Sequence, residues 1–158
     1  MGSECGDTPP GCAAPSGRPR WEEAARYWAK YQGAPPSVYD SVQTPCRNGL
    51  VNDDWCDDVT ARPRYAEWEK PAGEDAIYLS WHTNGYNGAI RGTESYIYDG
   101  AFTPGSDALQ SYIHTTLIND IRAGWDPAWT DRGRKRMDLG ELRLLSTMPG
   151  VLLEIAFH

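Results

Sequence analysis

The stretch at residues 75–98 constrains the fold more than any other part of this 158-residue chain. It begins with a short apolar run at residues 76–81, bounded by glycine and asparagine, which predicts a strand buried on both faces. His82 follows at the end of that strand, and residues 95–98 predict a second strand. Ligands bind at the carboxyl ends of strands in open α/β sheets. His82 is therefore a candidate metal ligand or acid/base group, although a histidine at a strand end can also be structural.

A second apolar run, at residues 151–157, carries a single carboxylate, Glu154, in its middle. An unpaired carboxylate is costly to bury, so a buried Glu154 has to meet water, a cation or a metal site. In the alternative interpretation, the run is an edge strand and Glu154 faces solvent. The residues alone leave both interpretations open.

Three further segments show helical patterns. Residues 21–32 place aromatic and small side chains on one face, which predicts a helix packed on a core. Residues 59–70 predict a second helix with Pro63 in its first turn, where a missing N–H does no harm. Residues 106–123 predict the clearest helix. His114 falls at the edge of the apolar stripe of that helix, which predicts a surface or boundary position.

The remaining segments complete the predicted architecture. Residues 141–146 predict one more strand, and residues 125–138 predict an irregular loop that contains a dense basic cluster. The alternation of strands and helices predicts an α/β fold with a mainly parallel or mixed sheet. Residues 1–20 show no periodicity and predict a flexible tail or linker, which leaves residues 21–158 for one domain. The basic cluster comprises Arg132, Arg134, Lys135 and Arg136.

The net charge of −7 argues against several classes of partner. An acidic surface disfavours nucleic acids and anionic membranes, because both carry dense negative charge. No run approaches the ~20 apolar residues that span a bilayer. The first residues also lack the apolar core of a signal peptide. The basic cluster stands out against this background, either as a solvated turn or as a contact for an acidic ligand.

The four cysteines lie in polar segments and do not have the spacing of a zinc-binding motif, since no C-x-x-C occurs. One interpretation is a pair of local disulfides, Cys5–Cys12 and Cys46–Cys56, which would indicate an oxidising compartment. The other is four free thiols in a cytosolic protein.

Four motifs together resemble those of the zinc-dependent N-acetylmuramoyl-L-alanine amidases, a family of cell-wall hydrolases. The segment LSWHTNG, followed by GTESYIY, is similar to the S-x-H-x-N segment and the G-x-E-x-Y strand of that family. The segment DRGRK resembles the D-R-G-x-K turn, and MPGVLLEIAF resembles the final P-x-V-L-V-E-I-G-F strand. Arg62 and Ala66 fit the R-x-x-x-A helix that precedes these strands. The four motifs occur in family order over residues 62–157.

The resemblance implies both a fold, a twisted sheet flanked by helices, and an enzymatic activity. The reaction is hydrolysis of the amide between N-acetylmuramic acid and L-alanine in peptidoglycan, in the extracellular or periplasmic space. His82 would be one of three protein ligands of a zinc ion, and Glu154 would be the general base for the zinc-activated water. Asn84, Glu94 and Arg132 would support the ligands or contact the substrate. The basic cluster would then contact the acidic stem peptide.

Two zinc ligands of the resembling family have no counterpart in this sequence. The family opens with a D-P-G-H-G strand, and a glutamate follows on its first helix. No H-x-G or G-H-G occurs here, and no histidine precedes Arg62. The chain is therefore predicted to be the C-terminal part of such a catalytic domain, without the first strand and helix. Two alternatives to a complete enzyme follow. One is a cell-wall binding module that retains the fold, and the other is a fragment that needs the upstream segment for activity.

Overall fold

The computed structural model describes residues 17–40, 54–85 and 88–158. The chain divides into two compact units, with the boundary between Pro71 and Ala72. In the part of the chain that is described, no helix is long and apolar enough to cross a membrane. Most of the predicted tail lies outside the described residues, and the domain division made from the sequence stays a prediction.

The first unit is helical in its described part. A 3-10 turn at Arg20–Glu22 precedes helix α1 (Ala25–Tyr31), and helices α2 (Pro36–Tyr39) and α3 (Asp54–Glu69) follow. The single helix predicted for residues 21–32 is wrong, because Ala24 is extended and separates the turn from α1. One buried hydrophobic cluster in this described part consists of Ala29, Ala34 and Val38, with Tyr39 and Tyr65 packed against it.

Helix α3 begins about one turn earlier than the sequence predicted. Asp54 and Asp57 lie in its first turn, where acidic side chains suit the positive end of the helix dipole. Pro63 therefore lies inside the helix, and its predicted place in the first turn is wrong. Arg62 pairs with Asp58 one turn earlier, at 2.9 Å, so this arginine has a local structural contact.

Only one of the four cysteines falls within the described residues. Cys56 is buried in α3. Cys5, Cys12 and Cys46 lie outside the described residues, so the two predicted disulfides stay predictions.

The second unit contains a four-stranded mixed sheet with the strand order β1-β4-β2-β3. Strand β4 is parallel to β1 and antiparallel to β2, and β2 is parallel to β3. Helix α4 precedes β3, and the short helix α5 precedes β4. The predicted α/β class, with a mixed sheet and flanking helices, is confirmed. The bounds are β1 Tyr78–Asn84, β2 Thr93–Ile97, α4 Ser106–Gly124, β3 Asp131–Arg136, α5 Gly140–Arg143 and β4 Gly150–Phe157.

The two faces of the sheet differ in chemistry. Val151 and Leu153 of β4 form a buried cluster with Ile97 of β2, and Leu109 and Ile113 of α4 pack against it. Side chains alternate between the faces of a strand, so residue 154 points away from α4. The apolar face of the sheet is thus covered by α4, and the opposite face carries the polar groups described below.

Two expectations about strands are wrong. Strand β1 was predicted to be buried on both faces, but it lies at an edge of the described sheet, and the Trp81 side chain is 60% exposed. The predicted loop at residues 125–138 contains β3, which forms the other edge of the described sheet. Edge strands tolerate charged residues, because the long side chains of lysine and arginine can extend their charged groups into water.

The strand predicted at residues 141–146 is also wrong, because α5 occupies part of this segment. Leu142 and Leu145 are both buried, and a spacing of three residues fits a helical turn better than strand alternation. The turn brings Glu141 toward the sheet.

His114 was predicted at a surface or boundary position, and this is wrong. Its ring is buried, and Nε2 lies 2.9 Å from Oδ1 of Asp131. The hydrogen bond lowers the pKa of Asp131, since it favours the ionised carboxylate. His114 therefore links α4 to the first residue of β3.

Candidate functional site

Three titratable side chains form one row across the sheet. His82 of β1 is the register partner of Glu154 of β4, and Glu154 is also the register partner of Glu94 of β2. Register partners on neighbouring strands lie on the same face, with strands about 4.8 Å apart. The structure thus brings together three residues that the sequence singled out in separate motifs, on the face opposite α4.

Glu154 is the least compensated group of the row. Its Oε2 atom is buried and has no hydrogen-bond partner among the described residues. Burial raises the pKa of Glu154 to about 7, and the charges of Glu94 and Glu141 add to the effect. The interpretation of β4 as an edge strand is wrong, because β4 lies between β1 and β2. Glu154 therefore keeps its proton to a higher pH than an ordinary glutamate does.

His82 lies beside a carboxylate that the sequence did not single out. Its Nε2 atom is 2.9 Å from Oγ of Ser80 and 3.9 Å from Oε1 of Glu141. Glu141 was missed because its segment was predicted as a strand. The three-residue spacing of the buried leucines at 142 and 145 is the signal that could have indicated the turn.

Glu94 lies at the centre of a hydrogen-bond network and is only 2% exposed. The Oε1 atom of Glu94 accepts from the Tyr96 hydroxyl at 2.6 Å and from Nδ2 of Asn84 at 3.3 Å. Its Oε2 atom accepts from Nε of Arg132 at 3.1 Å and from Nζ of Lys135. Burial opposes ionisation, but the bonds from Lys135, Tyr96 and Arg132 outweigh it and hold the pKa of Glu94 below its usual value. All three residues predicted to support the ligands or contact the substrate thus belong to one network.

The same network affects Tyr96. Burial, together with the hydrogen bond to Glu94, raises the pKa of this hydroxyl well above its usual value. Tyr96 is therefore a fixed neutral donor and is not suited to be a proton acceptor near neutral pH.

The described residues do not by themselves fit a zinc ion. No three or more of their His, Cys, Asp and Glu side chains are grouped closely enough to hold a metal. A catalytic zinc site uses three protein ligands and keeps one open position. His82 offers one imidazole nitrogen, and the buried Glu154, whose Oε2 oxygen has no partner among the described residues, is the expected general base rather than a ligand. A zinc site at His82 would need ligands from outside the described residues.

The geometry nevertheless places a proton acceptor and a pair of cations on one face of the sheet. Glu154 can accept a proton near neutral pH, because its pKa is raised to about 7. Glu94 holds two cations, Arg132 and Lys135, on the same face of the sheet one strand away. A proton acceptor on the same sheet face as a fixed cationic pair suits a substrate that carries both a reactive carbonyl and a negative charge.

Comparison with solved structures finds several N-acetylmuramoyl-L-alanine amidases. The catalytic domain of CwlV from Bacillus (Paenibacillus) polymyxa var. colistinus is 24% identical over 69% of this chain and 50% of that domain, with a TM-score of 0.48. AmiC2 of Nostoc punctiforme is 19% identical over 77% of this chain and 76% of that one, with a TM-score of 0.42. CwlD from Clostridioides difficile, solved in complex with the GerS lipoprotein, is 16% identical over 84% of this chain and 64% of that one, with a TM-score of 0.48.

The chain thus spans about half the length of the CwlV catalytic domain. No family profile matches the sequence, and no curated protein sequence matches it.

Proposed function

We propose that this chain belongs to a peptidoglycan amidase, which hydrolyses the amide between N-acetylmuramic acid and L-alanine. One observation carries the proposal, the register of His82, Glu154 and Glu94 in a single row. In the sequence these residues belong to separate segments that resemble amidase motifs. A chance resemblance would have no reason to bring them onto one face of one sheet.

Glu154 acts as the general base in the proposed reaction. It takes a proton from the attacking water and passes it to the nitrogen of the leaving L-alanine, so that the C–N bond breaks and the amine leaves neutral. A carboxylate with an ordinary pKa would be a weaker base for this task. The pKa of about 7 brings Glu154 close to the value that suits proton transfer at neutral pH.

The metal requirement is part of the proposal. In the amidase family that the sequence resembles, a zinc ion polarises the carbonyl. His82 is the only residue of this sequence that matches one of the zinc ligands of that family. The proposal therefore requires two further ligands from outside the described residues. Action on peptidoglycan also implies an extracellular or periplasmic location.

A cell-wall binding module is the second candidate function. It is favoured by the finding that no ligand set for a metal is complete within the described residues. In that case the polar face would bind peptidoglycan fragments without cleaving them, and the raised pKa of Glu154 would have no catalytic use.

A peptidoglycan digestion separates the two functions. Insoluble peptidoglycan is incubated with zinc and either this chain or the longest natural polypeptide that contains it, and newly exposed L-alanine amino groups are quantified. Release that disappears in Glu154→Gln but persists in Glu74→Gln, a variant of an exposed glutamate, is the result expected for an amidase. Co-sedimentation with peptidoglycan without new L-alanine amino groups, both for this chain and for the longer polypeptide, would identify a binding module instead.

A further inference from the structure

We propose that Arg132 and Lys135 anchor the carboxylate of the acidic stem-peptide residue that follows L-alanine. The inference rests on the proposed function and specifies which part of the substrate the basic cluster recognises. The anchor is a pair of cations held by one buried carboxylate, at one side of the row that contains Glu154.

The two cations retain unused donors. Arg132 donates to Glu94 through Nε, which is one of its five N–H groups, and Lys135 donates one of its three. Neither side chain has a second hydrogen-bond acceptor among the described residues. The Arg132 side chain is 30% exposed and the Lys135 side chain is 37% exposed, so a ligand can reach the remaining donors.

The local charge also favours an anion. Glu94 neutralises one of the two cations, and its other oxygen is occupied by neutral donors, the Tyr96 hydroxyl and the Asn84 amide. The group formed by Arg132, Lys135 and Glu94 therefore keeps one positive charge, in a protein whose net charge is −7. A carboxylate from a ligand would restore neutrality and accept charge-assisted hydrogen bonds.

The register separates this pair from the other two basic residues of β3. Lys135 is the partner of Tyr96, whose side chain lies on the same face as Glu94. Arg134 is the partner of Ser95 and Arg136 the partner of Ile97, so both lie on the face covered by α4. The basic cluster read from the sequence is thus two pairs on opposite faces, and only one pair faces Glu154.

The spacing suits a dipeptide unit. Strands β4 and β3 are separated by β2, so their backbones lie about 10 Å apart, and the two cations reach back by about half that distance to meet Glu94. An extended peptide advances about 3.5 Å per residue. A carboxylate two residue lengths beyond the scissile carbonyl therefore lies about 7 Å from it. This length falls between about 5 Å, the distance from β4 to the cationic groups, and about 10 Å, the distance from β4 to the backbone of β3.

The anchor is also rigid before any ligand binds. The Arg132 guanidinium lies over the ring of Phe157, 4.8 Å from its centroid, while Nε bonds to the buried Glu94. Two constraints on one guanidinium reduce the rotamer freedom that binding would otherwise remove. Preorganised donors of this kind discriminate between a charged and a neutral ligand.

Calorimetric binding of two soluble probes tests the anchor. The probes are N-acetylmuramyl-L-alanyl-D-glutamate and its uncharged diamide. We expect the chain to bind the acidic probe about tenfold more tightly, which corresponds to about 1.4 kcal/mol. In Arg132→Gln and in Lys135→Gln the preference should fall to within about twofold, with unchanged affinity for the diamide. Arg134→Gln, the matched control on the opposite face, should keep the preference.

The conservative variant Lys135→Arg controls for misfolding. It preserves the positive charge beside Glu94 and should keep the preference for the acidic probe. Equal binding of both probes by the unmodified chain would overturn the anchor, and so would a preference that survives in the Arg132→Gln Lys135→Gln double variant. Binding is measured without turnover, so the two proposals can fail separately. Preference without hydrolysis, measured with zinc on the longest natural polypeptide that contains this chain, would leave the anchor standing and refute the amidase. Equal cleavage of both probes by that polypeptide would do the reverse.

Discussion

Glu94 and Glu154 occupy neighbouring positions of the same row, yet their environments are opposite. Glu94 is more deeply buried, but four donors compensate its charge, and its pKa lies below the usual value. Glu154 has a buried oxygen without a partner among the described residues, and its pKa is raised to about 7. The depth of burial does not decide which carboxylate is reactive. The placement of the cations does, because Arg132 and Lys135 both bond to Glu94.

The largest expected effect is on catalysis and concerns Glu154 alone. Glu154→Gln keeps the shape and removes the base, so turnover of peptidoglycan should fall by at least ~100-fold. Zinc affinity should change little, because Glu154 is not proposed as a ligand. The appearance of new L-alanine amino groups measures turnover, and a zinc titration measures zinc affinity. Turnover close to that of the unmodified protein would refute the role of Glu154 as the general base.

The matching substitution at the other carboxylate should act on stability. Glu94→Gln leaves Arg132 and Lys135 without their shared counter-charge, and we expect a loss of about 2–3 kcal/mol in the free energy of unfolding. The pKa of Glu94 is lowered in the folded state, so its stabilisation is present above its unfolded value and is lost as the pH falls through its folded value. The difference between the variant and the unmodified protein should therefore shrink in acid. Urea unfolding at neutral and acidic pH checks this, and an equal loss at both values would contradict it.

The pH dependence of stability should have the opposite sign at Glu154. Its pKa is raised from 4.5 to about 7, so the unfolded chain loses this proton first and stability falls as the pH rises through that window. Glu154→Gln removes the effect and should be more stable than the unmodified protein at pH ~8, by about 2 kcal/mol after allowance for partial exposure. Below pH ~4.5 the two proteins should be equally stable. Urea titrations at the two pH values measure the difference in the free energy of unfolding. A Glu154→Gln variant that is less stable than the unmodified protein at the higher pH would refute the raised pKa of Glu154.

The smallest effect concerns Glu141, which is close to the row without belonging to it. Its charge contributes to the raised pKa of Glu154, behind burial and the charge of Glu94. Glu141→Gln should therefore lower the pKa of Glu154 and, because a general base acts in its ionised form, move the acidic limb of the pH–rate profile to lower pH. The pH profile of kcat/KM measures the shift. A profile that moves to higher pH would mean that Glu141 stabilises the ionised form of Glu154.

The sequence predicted more of the site than of the fold around it. His82 and Glu154 were singled out by local context, an imidazole at a strand end and a carboxylate in an apolar run. Their adjacency depends on the strand order, which local patterns do not specify, because β1 and β4 are separated by more than sixty residues. Glu141 was missed because its segment was predicted as a strand, although the three-residue spacing of Leu142 and Leu145 fits a helical turn better.

The basic strand shows a different limit. DRGRKR contains no apolar residue, and the alternation that indicates a strand is an alternation of apolar with polar side chains. Strand β3 forms because its neighbour β2 offers a ladder and because its cations find partners there, Arg132 and Lys135 on Glu94. Those partners are long-range in sequence, so the propensity of the segment alone cannot reveal them.

The position of β1 bears on how such a chain can change over evolutionary time. In the described sheet β1 has a neighbour on one side only, whereas β4 has one on each side. The buried cluster of Ile97, Val151 and Leu153 includes no residue of β1. Substitutions at His82 therefore leave that cluster intact, and selection for foldability does not preserve the imidazole. A lineage in which His82 varies while Glu154 persists would have lost selection for metal binding and kept the framework.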